Sequence, residues 1–109
     1  MSSADDFRRI ALSFPGAEEK AHMGHPDFRV GGKIFATLHG SGTGTGMVAL
    51  LPEQQELAME AEPEAFKPAA GAWGRGGSTL VVLDEVSDEW LERGLEWAWR
   101  KRAPAKLRR

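Results

Sequence analysis

The chain has 109 residues, with 14 basic against 16 acidic side chains, a formal charge of −2 and no cysteine. That length suits one domain built on a single core. The missing cysteine excludes disulfides, thiolate metal sites and cysteine nucleophiles, and the near-neutral charge gives no global pull toward nucleic acid.

The beginning of the chain carries no basic apolar run, and no apolar stretch nears membrane-spanning length. A soluble, cytoplasmic protein with no membrane partner is therefore expected. Ser3 to Phe14 reads as a helix. Ser3 and Asp6 form a near capping box, and Phe7, Ile10, Ala11 and Phe14 make one apolar face. Pro15-Gly16 ends it. Glu18 to Met23 is a weakly alternating strand, and Gly24-His25-Pro26 turns the chain.

Gly24 to Leu38, GHPDFRVGGKIFATL, is a tight β-hairpin with Gly31-Gly32 as its turn. A two-residue hairpin loop needs positive φ at both centres, which glycine reaches without steric cost. Pairing Val30 with Lys33 sets Arg29 opposite Ile34 and Phe28 opposite Phe35. Phe28, Val30 and Phe35 then share one face, and Ile34, Ala36 and Leu38 the other. A return strand apolar on both faces predicts cover on both.

His39 to Gly46, HGSGTGTG, alternates glycine with serine and threonine and reads as a loop. It is no phosphate cradle: it matches neither G-x-G-x-x-G nor a GK[ST] ending, and a strand, Met47 to Leu51, follows it. Pro52 to about Ala61 is a helix with Leu57, Ala58 and Ala61 as its apolar side. Glu64 to Gly77 is irregular, Thr79 to Leu83 is a strand, and Ser87 caps a last helix that Pro104 ends. Gly94 inside that helix predicts a close backbone approach, and the segment from Ala105 is expected to fray. Hairpins joined by short loops, with helices between and at the ends, define an α+β fold: an antiparallel sheet with helices packed mainly on one face, in a single domain over residues 1–109.

The motifs ALSFPGAEEK (Ala11 to Lys20), GHPDFRVGGKIFATL, LPEQQ (Leu51 to Gln55), WGRGGSTLVVLD (Trp73 to Asp84) and EWAWRKRAPAKL (Glu96 to Leu107) resemble the MmcQ/YjbR family, in order and over nearly the whole chain. The resemblance implies a frataxin-like α+β fold and DNA binding through a double wing of two hairpins. The wings map to Phe28–Phe35 and to a segment centred on Trp73–Thr79. Met23 and Ser78 stand where family members often carry tryptophan.

On that implication Arg29 and Lys33 flank the first wing's turn, Arg75 lies in the second, and Arg100, Lys101 and Arg102 open a basic end continued by Lys106, Arg108 and Arg109. Phosphate contacts by such cations would supply most of the affinity. Five glutamates between Glu53 and Glu64 oppose them, so the binding expected is weak and indifferent to sequence. The alternative is a module that binds a protein or a small molecule on the sheet face or in the cleft between the hairpins, lined by His25, Phe28 and Trp73. His22, His25, Asp27 and His39 make a poor metal set, because strand alternation points His22 and His25 apart. No nucleophile elbow or carboxylate pair stands out. No catalytic residue, metal or cofactor is expected.

Overall fold

The computed structural model describes residues 2–39 and 44–108. Helix α1 (Ala4–Leu12) precedes strands β1 (Glu18–His22), β2 (His25–Val30), β3 (Lys33–Leu38) and β4 (Thr45–Ala49). Helix α2 (Pro52–Ala61), strand β5 (Phe66–Pro68), helix α3 (Gly71–Arg75), strand β6 (Ser78–Val82) and helix α4 (Asp88–Arg102) follow. The six strands form one antiparallel sheet in the order β1-β2-β3-β4-β6-β5. The α+β class read from the sequence is the class observed. Residues 40–43 of the glycine-rich loop lie outside the described residues.

Local chemistry sets the element ends. The Ser3 hydroxyl accepts from the Asp6 amide at 3.1 Å, and the Asp6 carboxylate accepts from the Ser3 amide at 3.0 Å, closing the capping box. Gly31 and Gly32 have φ of +60° and +79°, the left-handed pair a two-residue hairpin needs. Ser87 caps α4 through the Trp90 amide.

The hairpin departs from simple alternation. Arg29 pairs with Ile34, as expected, but Phe28 pairs with Ala36 and leaves Phe35 as an extra residue. This β-bulge keeps Phe35, Ala36 and Leu38 all buried. Only Ile34 of the return strand's apolar residues turns to the other face. Across the sheet, Phe28, Ala36, Val48, Thr79 and Pro68 align on one side. Phe7 of α1 packs on Phe28 with ring centroids 5.7 Å apart, and α4 lies against β3 and β4, burying Leu91, Leu95, Ala98 and Trp99.

Four further expectations change. Residues 64–77 are built, not irregular: β5 adds the edge strand, where Pro68 costs no ladder bond, and α3 follows it. Helix α2 buries Gln55 and Ala58, while Leu57 stays half exposed. The Gln55 amide donates to the carbonyls of Gly74 and Ser78 and to the Thr79 hydroxyl, so a buried polar tie holds α2 to the sheet end. After Pro104, Ala105–Leu107 forms a 3-10 turn, and Leu107 packs on the core instead of fraying. Gly94 is buried, but a methyl group there would sit 3.9 Å from Phe66, in ordinary contact.

Candidate functional site

Helices α1, α2 and α4 pack on one side of the sheet. The register places Asp27, Thr37, Met47, Leu80 and Lys67 on the other, open side. At one end of that open face, between the Gly31-Gly32 turn and α3, lies a cavity of about 520 Å³. Its floor is Ile34, Met47 and Ala49, with Thr37 and Ser78 as neutral polar groups. Arg29, Lys33 and Arg102 stand in its walls, Trp73 at its rim, and His22 at the far end. The lining includes no carboxylate.

Asp27, on the same open face, has no accessible surface. Arg29 donates to both of its oxygens, from Nε at 2.8 Å and from Nη2 at 3.0 Å, and His22 Nδ1 lies 2.7 Å from Oδ2. Arg29 and then His22 hold the Asp27 carboxyl below the usual carboxylate range, against the opposing effect of burial. The same pair raises the Arg29 pKa. Asp27 therefore offsets one positive charge and fixes two side chains of the wall. Lys33 and Arg102 take part in no ion pair among the described residues, so they carry the cavity's net charge. Arg102 Nε is enclosed and has no hydrogen-bond partner there.

The residues expected to contact nucleic acid divide. Arg29, Lys33 and Arg102 converge on the cavity. Arg75 is exposed on α3 and does not line it. Arg100 pairs with Glu96 at 2.9 Å and lies over the Trp99 ring, beside a depression that Asp88, Glu89 and Glu92 make acidic. Lys101 donates to the Leu50 carbonyl at 2.8 Å, and burial, then Arg102, lowers its pKa.

Of the expected cleft, only Trp73 is in place. Phe28 has no accessible surface and faces the helices, because the register puts it beside Ala36 and Val48. His25 lies at the other end of β2, with its ring 6.3 Å from His22 and 6.0 Å from His39. His22 and His25 are cross-strand partners, so they share a face instead of pointing apart. Burial and then His25 push the His39 pKa down. Among the described residues no group of three or more metal-type ligands converges. The Asp27 node and the apolar floor escaped the sequence reading. The signal was there: His25, Asp27 and Arg29 are spaced by two on one strand and must share a face.

The second wing is not a plain hairpin. Strands β5 and β6 are antiparallel partners, but the connection between them contains α3.

The open face of the α+β sheet thus carries a concave cavity at one end, lined by cations and no carboxylate. The chain belongs to the YjbR family, whose model matches residues 12–101. Its fold is similar to the crystal structure of Deinococcus radiodurans protein DR2400, which carries a DUF419 domain. The TM-score is 0.80 at 21% identity, over 99% of this chain and 86% of that one. No curated protein matches the chain.

Proposed function

We propose that this protein is a non-enzymatic binding module that takes an anionic ligand in the open-face cavity. The observation that carries this reading is the convergence of Arg29 with Lys33 and Arg102, two cations in no ion pair among the described residues, on a cavity whose lining has no carboxylate. A volume of about 520 Å³ suits a small ligand with an apolar body and one charged group. A cytoplasmic location is part of the proposal and accords with a chain that has no cysteine.

DNA is the second reading. It is favoured by the placement of these cations beside the first wing's turn, on the sheet face opposite the glutamate-rich α2. One titration tests both. Labelled random duplex and inorganic pyrophosphate are each bound to the wild type and to a Lys33→Ala/Arg102→Ala double variant. Arg29 is left in place because its removal would strand Asp27. If DNA binds here, the slope of log K against log salt falls by about 1.8 in the double variant, roughly 0.9 per lost phosphate contact. Pyrophosphate binding lost with no duplex binding at low salt selects the small ligand. Unchanged binding of both probes in the double variant refutes the site.

A further inference from the structure

Resting on that anion-binding reading, we infer that the ligand also carries a planar ring that stacks on Trp73, so that the cavity takes an aromatic anion of the mononucleotide kind. Trp73 is 73% exposed, the most exposed aromatic among the described residues. Because it lines the cavity as well as facing solvent, its indole offers a flat aromatic surface to whatever the cavity holds.

The segment that carries it is rigid. Gly74 is buried, and any side chain there would run into the Ala69 carbonyl. Gly77 has φ of +112°, and a side chain there would meet the Leu50 carbonyl. Gln55 Nε2 donates to the Gly74 carbonyl at 3.0 Å, and the Thr79 hydroxyl donates to the Gly77 carbonyl at 2.8 Å. Two close glycine approaches and a buried glutamine thus fix the turn from which Trp73 projects. Backbone held this way has little left to order when a ligand stacks on the ring.

The anionic end of the ligand has its own partner. Arg102 lines the cavity and takes part in no ion pair among the described residues, and its guanidinium is matched to two oxygens of a phosphate or carboxylate. Lys33 stands in the same wall as a second cation, and Ile34 and Met47 offer the apolar surface between anion and ring. Base-on-aromatic stacking and a basic groove are the two parts of nucleotide recognition that need no base-edge reading.

The test compares adenosine 5′-monophosphate with ribose 5-phosphate, equal in charge and differing in the ring, by calorimetric titration of the intact chain. The wild type is expected to bind the nucleotide about tenfold more tightly. Trp73→Ala should abolish that preference and leave ribose 5-phosphate binding unchanged, whereas Arg102→Gln should weaken both ligands. Equal binding of the two by the wild type overturns the ring inference and leaves the anion site standing. Binding of neither overturns both. A five-residue oligoadenylate separates the sources of the ring: tighter binding than the mononucleotide, with steeper salt dependence, assigns it to a single strand, and equal affinity assigns it to a free nucleotide.

Discussion

Asp27 and Arg29 sit two residues apart on β2 and meet through two hydrogen bonds, 2.8 and 3.0 Å long, on the sheet face that the large helices leave open. The carboxylate is fully buried while the guanidinium reaches the cavity wall. The pair therefore couples the stability of the sheet to the shape of the site.

That coupling has a pH signature. The folded Asp27 pKa lies below its ordinary value, so its stabilising contribution is present above about pH 4 and is lost as pH falls through the folded value. Asp27→Asn should lower stability by about 1–3 kcal/mol at neutral pH, with the deficit shrinking toward zero in acid. Thermal unfolding at pH 7, 5 and 3 checks this, and a deficit constant across that range would contradict it. His39 acts in the same direction at higher pH. Its folded pKa is depressed, so the unfolded chain takes up the proton first and stability declines as pH drops below about 6.5. His39→Gln should flatten that part of the profile.

The hairpin turn gives a second prediction. Both Gly31 and Gly32 hold left-handed backbone, and Gly31 also packs beside Pro104. Valine at either position should destabilise the fold by more than about 1 kcal/mol. Denaturant unfolding midpoints unchanged in both variants would remove the turn's role in fixing the register.

How much of this was written in the sequence depends on the range of the interaction. The Ser3 cap, the Gly31-Gly32 turn and the Pro52 start of α2 are decided by neighbours in the chain, and each appears where the sequence places it. Ala36 and Leu38 were assigned the wrong face for a different reason. One extra residue in β3 moves the partner of Phe28 from Phe35 to Ala36, and strict alternation has no term for a bulge. Arg102 and Trp73 are 29 positions apart in sequence. Only the path of α4 to the hairpin end brings them to one cavity, and no local pattern encodes that meeting.

The last helix supplies a third prediction with two opposite signs. Leu95 is fully buried in the core, so Leu95→Ala should cost about 2–5 kcal/mol. Its neighbour Gly94 sits mid-helix with space for a methyl group, 3.9 Å from Phe66 and 4.0 Å from Val48. Gly94→Ala should therefore stabilise the protein, by up to about 1 kcal/mol, through helix propensity and a less flexible unfolded chain. A fall in melting temperature for Gly94→Ala would mean that the helix and sheet approach more closely than these distances indicate.

A fourth prediction separates the cations by place rather than by charge. Arg75, Arg100, Lys33 and Arg102 each carry one positive charge, and a purely global attraction for a polyanion would respond alike to the loss of any one of them. Their surroundings differ. Arg100 is already paired with Glu96 beside the acidic depression of α4, and Arg75 lies outside the cavity. Lys33 and Arg102 line it without ion pairs among the described residues. Single substitution of Arg75 or Arg100 by alanine should leave both pyrophosphate affinity and any salt slope for DNA at wild-type values. Lys33→Ala or Arg102→Ala should reduce pyrophosphate affinity severalfold and, for DNA, flatten the slope by about 0.9 each. Should the four variants lose affinity equally, binding is a property of net charge and the cavity has no special role. Should Arg75 and Arg100 matter most, the ligand runs along the basic end of α4 and over α3 instead, and the open sheet face is not where it rests.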